Sequence, residues 1–183
     1  MSVDLVQAAI AGDADAFEAL ARGVGDGCLA IAARILRDPD AAEDAVQQAL
    51  IQAWRQLPNL RDPERFVPWI HRIVINACYA EARRHRRWMR RVAEIEIEPP
   101  GQDDVARVHD VDQLERAFRR LPIEQRAVLV LHHYLGLPIH EVADRVGIPV
   151  GTAKSRLHYG SIALRAAVDA DARRTALTRE RLA

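Results

Sequence analysis

The chain has 183 residues, of which 49% are hydrophobic and 28% charged, and its formal net charge is zero. Nine glycines and nine prolines are too few for a low-complexity protein, and no apolar run approaches the roughly eighteen residues of a membrane span. The first residues lack the basic start and apolar core of a secretory signal, and the two cysteines lack metal-site spacing. Because helical periodicity is present almost throughout, we expect an all-α protein. The missing secretory signal, membrane span and metal-site spacing lead us to expect a cytoplasmic protein without a metal or other cofactor.

The neutral total hides a segmentation of charge along the chain. Residues 1–91 have thirteen arginines against twelve acidic residues, 92–112 have one arginine against seven, and 113–183 have twelve basic residues against seven. An acidic stretch around Pro99-Pro100-Gly101 therefore masks a basic C-terminal segment, and its composition is typical of a flexible linker. The predicted organisation is two small helical domains at 1–91 and 112–168, an acidic linker at 92–111 and a tail at 169–183.

Two helices are predicted at the N-terminus, Val3–Ala11 and a longer one from Ala14 to about Arg37. Asp13 lies between them and is placed to cap the second. Helical spacing in the longer helix predicts a set of buried residues: Leu29, Ala32, Ala33 and Leu36.

The third predicted helix begins at Asp40, which has capping-box spacing with Glu43, and runs to about Leu57. Its predicted buried residues are Ala42, Val46, Ala49, Leu50, Ala53 and Leu57. The opposite side is polar except for Ile51, and an exposed apolar residue there indicates a protein partner. The predicted docking residues on this side are Asp44, Gln47, Gln48 and Ile51.

A fourth helix is predicted from about Phe66, after a polar loop. Its predicted buried residues are Phe66, Ile70, Ile73, Val74, Ala77 and Ala80. Residues at steps of three and four form a second, cationic face, namely Arg72, Asn76, Tyr79, Arg83, Arg86 and Arg90. With six arginines among the nine residues from 83 to 91, this face is suited to nucleic acid, because guanidiniums neutralise phosphates and an amide or ring can contact an exposed base. The alternative is a solvated basic helix end that complements the helix dipole.

The C-terminal segment predicts a helix-turn-helix. Pro122 can open a first helix and Gly136 closes it, Pro138 begins a second, and Gly147-Ile148-Pro149 makes the turn to a third that begins near Val150. Any two short helices joined by a glycine turn have this pattern, so the faces of the third helix carry the argument.

Small and apolar residues recur in that third helix at steps of three and four from Val150 to Val168 and form a predicted buried stripe. Ser155 lies nearly opposite the stripe, among short polar and basic side chains. A helix packed on one side and polar on the other suits the DNA major groove. The predicted DNA-facing residues are Thr152, Lys154, Ser155, Arg156, His158 and Tyr159.

Four stretches resemble one family, the bacterial RNA polymerase sigma factors of the extracytoplasmic-function group. "LPIEQRAVLVL" and "GLPIHEVADRVGIPVGTAKSRLH" resemble its region four, and "DPDAAEDAVQQALIQAW" resembles its region two. "FVPWIHRIVINACYAEARRHRR" resembles the segment that recognises and melts the minus-10 promoter element. The resemblance implies a non-enzymatic subunit of two domains that gives the polymerase its promoter specificity.

The resemblance also implies roles for individual residues. Asp44 and Gln47 would dock on the clamp of the polymerase largest subunit. The loop before the fourth helix would hold a flipped base, with Asn59, Arg61 and Arg65 as its contact residues. In the third helix of the helix-turn-helix, Lys154, Ser155, His158 and Tyr159 match positions that meet the minus-35 element, and Tyr159 replaces a common arginine.

The expected partners are core RNA polymerase, promoter DNA that is duplex at minus-35 and single-stranded at minus-10, and an anti-sigma factor. Two alternatives stay open: a helix-turn-helix regulator that works without polymerase, and a sigma-like decoy that only binds protein. Catalysis has little support, because His140-Glu141 is not followed by a histidine at zincin spacing and there is no phosphate-binding glycine loop.

Overall fold

A computed structural model describes residues 2–94 and 109–182. The backbone in these ranges is almost entirely helical and contains no strand, which confirms the predicted all-α class. Short 3₁₀ turns at Leu57–Asn59 and Pro63–Arg65 and a π-helical turn at Val130–Tyr134 interrupt or extend the helices. The helices are α1 (Val3–Ile10), α2 (Ala14–Leu36), α3 (Pro39–Gln56), α4 (Phe66–Glu94), α5 (His109–Arg120), α6 (Ile123–Leu129), α7 (Ile139–Val146) and α8 (Val150–Leu182).

Aspartates cap the two helices that follow α1. The Oδ1 atom of Asp13 accepts hydrogen bonds from the amides of Asp15 and Ala16 at 2.9 and 3.0 Å, as predicted. The predicted cap of α3 at Asp40 is wrong, because Asp38 is the cap and accepts from the Ala41 amide at 3.1 Å. Pro39 explains the earlier start, since the first helical position needs no N–H donor.

The N-terminal half packs α2, α3 and α4 against one another, with α1 on α2. The predicted stripe of α3 is confirmed, because all of its members are buried except Leu50, which is half-buried. In α2 the prediction is partly wrong: Leu29 is exposed, whereas Cys28, Ile31 and Ile35 are fully buried. Since α2 contacts α1, α3, α4 and α6, it buries a wider arc than a helix with one neighbour.

The C-terminal half forms the predicted helix-turn-helix. Gly136 and Gly147 have φ angles of +67° and +75°, the left-handed conformation that only glycine adopts without strain, and α8 begins at Val150. In the predicted stripe of α8, Ala153 and Gly160 are buried and the remaining members are half-buried, except Val150, whose predicted burial is wrong. Val150 is the first residue of the helix and lies at its open end.

Helical backbone extends into the predicted linker and through the predicted tail. The helix α4 continues to Glu94 and α5 begins at His109, so helical backbone enters both ends of the predicted 92–111 linker. The remainder of the linker, 95–108, lies outside the described residues. The helix α8 continues through the predicted tail to Leu182.

The two halves are in contact with each other. The helix α4 packs against α6 and α7, α2 packs against α6, and one continuous buried cluster includes residues of both halves. Arg37 forms an ion pair with Glu115, and Arg126 Nη1 donates to the carbonyl of Leu36 at 3.3 Å. Among the helices that the structure describes, none combines the length and apolarity required to cross a bilayer.

Candidate functional site

The outward face of α3 is open to solvent. The helix begins at its Asp38 cap and buries its alanine-rich side on α2 and α4, so Asp44, Gln47, Gln48 and Ile51 are all exposed as predicted. Arg84 on α4 reaches this face, where its Nη2 atom lies 3.3 Å from Asp44 Oδ2 and 2.7 Å from Glu81 Oε2. Sequence reasoning missed Arg84, because the arginine run gave no sign that one of its members turns toward α3.

An open cleft of about 610 Å³ lies on the surface between the packed helices α3 and α4. Gln48 and Ile51 line it from α3, and Asn76 lines it from α4. The structure therefore brings a predicted minus-10 residue next to two predicted docking residues. Arg83 and Arg86, further along α4, are exposed outside this cleft.

A second cleft of about 420 Å³ lies at the loop that precedes α4. Asp62 shapes the loop by accepting a hydrogen bond from the Glu64 amide at 3.0 Å. Three of the predicted DNA-contact residues, Arg61, Arg65 and Arg72, line the cleft. A fourth, Asn59, is exposed and does not line it. Three apolar residues also line the cleft, namely Leu60, Pro68 and Trp69. Leu60 belongs to the loop expected to hold a flipped base and Trp69 matches the family's minus-10 segment, whereas Pro68 had no predicted role in the site.

Tyr79 departs from its predicted exposure. Its hydroxyl is buried and has no hydrogen-bond partner among the described residues. Burial raises the pKa of Tyr79 to about 12, and Arg156 and Glu124 are close enough to shift that pKa in opposite directions. Both of these residues belong to the C-terminal half, which covers this part of α4. The predicted burial of Ala80 is also wrong: Ala80 is exposed, whereas Ile75 and Cys78 on the same helix are fully buried.

The helix-turn-helix directly contacts α4 and the loop that precedes it. Asp144 on α7 forms an ion pair with Arg65 and lines the second cleft. The Arg72 guanidinium lies so close to Gly147 that an added Cβ would be 2.7 Å from Nη2.

A histidine on α4 also contacts α7. Arg145 Nη1 lies 3.1 Å from His71 Nδ1, which fits a neutral imidazole that accepts the hydrogen bond. Burial, and then the neighbouring charge of Arg145, lower the pKa of His71 from 6.5 to about 4.

The predicted DNA face of α8 is largely open. Lys154, Ser155, His158 and Tyr159 are exposed, and 62% of the Tyr159 surface is accessible. The Ser155 hydroxyl donates to the carbonyl of Gly151 at 3.0 Å. The two remaining predicted residues, Thr152 and Arg156, are half-buried.

Ile162 shares the open face of α8 and was not assigned a role from the sequence. It lies one further turn along the face that holds Ser155 and Tyr159 and is exposed. The side chains of His158 and Tyr159 meet edge to face, with ring centroids 5.4 Å apart. The face therefore combines polar, aromatic and aliphatic groups, as base-edge contacts in the major groove require.

The cysteines and acidic residues offer no catalytic arrangement in the part of the chain that the structure describes. Cys28 and Cys78 are free and buried, and burial raises their pKa values to about 11 and about 12. Such thiols are protonated and unreactive at neutral pH. Among residues 2–94 and 109–182, no three histidine, cysteine, aspartate or glutamate side chains are grouped to hold a metal ion.

Comparison with known families gives two matches. Residues 20–88 match Sigma-70 region 2, which spans most of α2 together with α3 and most of α4. Residues 111–161 match Sigma-70 region 4, which spans the helix-turn-helix.

Relatives match over most of the chain. It is 35% identical over 155 residues to the ECF RNA polymerase sigma factor SigM of Mycobacterium tuberculosis, across 85% of this chain and 78% of that protein. It is 28% identical over 167 residues to the ECF RNA polymerase sigma factor SigW of Bacillus subtilis, across 84% of this chain and 89% of that protein.

Solved structures have the same fold. CnrH, in complex with the cytosolic domain of CnrY, matches with a TM-score of 0.64 and 25% identity, over 92% of this chain and 97% of that chain. The sigma factor RpoE of Bartonella quintana, in complex with the anti-sigma factor NepR, has a TM-score of 0.65 and 23% identity, over 84% and 96%.

Proposed function

The chain belongs to the extracytoplasmic-function group of the sigma-70 family, and on that premise we propose how its residues divide the work of a sigma factor. It is a promoter-specificity subunit that binds core RNA polymerase, recognises the minus-35 and minus-10 elements and initiates DNA-templated transcription. It is not an enzyme, because the polymerase supplies the chemistry. The observation that carries the division of work is that three separate faces, on α3, at the minus-10 loop and on α8, have chemically different side chains.

The exposed face of α3 docks on core polymerase. Asp44 and Gln47 supply charged and amide contacts, Gln48 widens the polar surface, and Ile51 supplies an apolar contact next to them. Asp44 must release Arg84 to make its contact. That costs little, because both side chains are more than half exposed and a surface ion pair contributes about 0–1 kcal/mol.

The minus-10 strand binds at the second cleft and along α4. The apolar wall with Trp69 receives an extruded base, and Arg61, Arg65 and Arg72 neutralise the phosphates on either side. Asn76 contacts a further unpaired base, and Arg83 and Arg86 hold the backbone beyond it. Extruding a base costs a few kcal/mol, which these single-strand contacts offset.

The open face of α8 binds the minus-35 duplex. Ser155, His158 and Tyr159 face base edges, whereas Lys154 and Arg156 on the flanks contact phosphates. Thr152, near the start of the helix, lies where a hydroxyl can bond a phosphate.

The protein works in the cytoplasm and has an anti-sigma partner. The sigma factor RpoE, which has the same fold, was solved in complex with the anti-sigma factor NepR, and CnrH was solved in complex with the cytosolic domain of CnrY. We extend an anti-sigma partner to this chain because it shares the fold and belongs to a sigma-factor family.

A pull-down with core polymerase, followed by run-off transcription, tests the docking face. Asp44→Arg should weaken core binding by about 2–5 kcal/mol, whereas the matched charge reversal Asp26→Arg, on an exposed site of α2, should not. Core binding of Asp44→Arg at the wild-type level would show that α3 is not the docking helix. A polymerase-independent regulator would bind promoter duplex alone and fail the pull-down, and a decoy would bind core without supporting transcription.

A further inference from the structure

The C-terminal half contacts the same residues that the proposed minus-10 site uses. Arg65 is paired with Asp144 and Arg72 lies against Gly147, while Tyr79, a further predicted minus-10 residue, is half-buried with its hydroxyl fully buried. These contacts come from α7 and the turn after it, and Arg156 of α8 is close enough to Tyr79 to influence its pKa. By contrast, the docking residues of α3 are exposed. The contacts from the C-terminal half therefore involve the proposed minus-10 residues and not the proposed docking residues.

Asp144 places at Arg65 an anion of the kind that a DNA phosphate would provide. Its carboxylate is an anion with acceptor oxygens, lies at the second cleft and bonds the Arg65 guanidinium. Arginine binds carboxylate and phosphate through the same fork of N–H donors. A strand phosphate and the Asp144 carboxylate therefore require the same partner and cannot both have it.

The contact is of a kind that can open. The side chains of Arg65 and Asp144 are 58% and 54% exposed, so water screens their attraction. The neighbouring contact between Arg145 and His71 is also polar. Interfaces between domains that separate during function are more polar than permanent ones, and this end of the interface fits that description.

We propose that α7 is an intramolecular competitor of the minus-10 strand. In the free chain Asp144 takes the position of a strand phosphate at Arg65, and the turn at Gly147 lies against Arg72, so the helix-turn-helix occupies one side of the base-holding cleft. The strand enters only when α7 leaves. This inference rests on the proposed role of the cleft in strand binding.

Binding of a fluorescein-labelled, mixed-sequence single-stranded DNA of about 15 nucleotides to the full chain, measured by anisotropy, tests the competition. Asp144→Asn should bind the strand about two- to fivefold more tightly than the wild type, as expected for loss of one exposed ion pair. The matched variant Asp26→Asn removes the same charge from α2 and should leave the affinity within the error of the wild-type value. Circular dichroism melting confirms that both variants are folded.

A double-mutant cycle distinguishes failure of the proposed competition by α7 from failure of the proposed minus-10 site. If Asp144 acts through Arg65, the Asp144→Asn gain should disappear in an Arg65→Ala background. If Arg65→Ala weakens strand binding but Asp144→Asn behaves like Asp26→Asn, the competition is refuted and the proposed cleft is kept. If Arg65→Ala does not weaken strand binding in the Asp144→Asn background, where no competing pair exists, the proposed minus-10 site itself is wrong. A gain that persists without Arg65 would also overturn the competition, because it would be a general charge effect.

Discussion

The two helices proposed to bind DNA, α4 and α8, differ in what surrounds them. On α8, the predicted contact residues His158 and Tyr159 are open to solvent. On α4, Arg72 lies against Gly147, and Tyr79 is half-buried with its hydroxyl inaccessible to solvent. The helix α8 packs on α5, α6 and α7 of its own half, whereas α4 packs on elements of both halves. The proposed minus-35 face is therefore open to solvent, whereas the proposed minus-10 face is in contact with the C-terminal half.

The difference has a consequence for the order of binding. Core docking through α3 and minus-35 binding through α8 need no rearrangement of the contacts between the halves. Minus-10 binding through the loop cleft requires Asp144 and Gly147 to leave Arg65 and Arg72. We therefore expect the halves to separate before or during promoter melting.

The largest expected effect is on stability at acid pH, through a contact between the halves. His71 has its pKa lowered to about 4 from 6.5, because the ring is half-buried and accepts a hydrogen bond from cationic Arg145. The unfolded chain therefore takes up the proton first as the pH falls. The stabilisation is present above pH 6.5 and is lost between 6.5 and about 4, by at most about 3 kcal/mol.

Urea unfolding at neutral pH and at the lower end of this window measures the loss. The variant His71→Gln should have a flatter dependence than the wild type, whereas His85→Gln, at an exposed position of the same helix, should follow the wild type. Identical curves for wild type and His71→Gln would show that protonation of His71 does not weaken the contact.

The next effect sharpens the open side of the comparison. Tyr159 lies where the family commonly has an arginine, and it is exposed on α8. Tyr159→Arg should add preference for guanine at one minus-35 position by about 1–3 kcal/mol, because arginine bonds a guanine edge with two donors. Selection from randomised minus-35 sequences measures this preference. Lys154→Ala is the contrast, since loss of a phosphate contact should lower affinity almost evenly across sequences.

A glycine pair sharpens the covered side. Gly136→Ala and Gly147→Ala both place a side chain at a positive φ and should each lower the free energy of unfolding by about 1–2 kcal/mol. Only at Gly147 would the new Cβ meet Arg72, since at Gly136 it would meet no described atom within 4 Å. Gly147→Ala should therefore also release Arg72 and tighten single-strand binding. Equal strand affinity for the two variants would argue against the contact.

The smallest effect concerns the buried hydroxyl of Tyr79. Because it has no hydrogen-bond partner among the described residues, Tyr79→Phe should raise the free energy of unfolding by about 1 kcal/mol. Urea unfolding checks this value. A loss of stability would instead mean that the hydroxyl is hydrogen-bonded in the folded chain.

The sequence was sufficient for features that depend on local chemistry. The Asp13 cap, the turn glycines 136 and 147 and the inward stripe of α3 follow from capping, backbone conformation and one-sided packing. Proline at the first helical position moved the α3 cap from Asp40 to Asp38, which is a competition between two local rules.

The errors on α2 and α4 have a different origin. Leu29, Tyr79 and Ala80 were placed on the wrong side because other parts of the chain pack on these helices. Periodicity identifies a single buried arc and has no means of detecting a second one made by residues distant in sequence. The pairings of Arg65 with Asp144 and of Arg84 with Asp44 were unpredictable for the same reason.

The distance between the two halves tests most directly whether α4 is shared between α7 and the minus-10 strand. Spin labels at Gly23→Cys and Ala163→Cys occupy exposed positions on α2 and α8, while the native thiols Cys28 and Cys78 are fully buried. In the free chain we expect one short distance population, and after addition of core polymerase and single-stranded minus-10 DNA a shift to longer distances. An unchanged distribution, with the strand bound, would contradict the account.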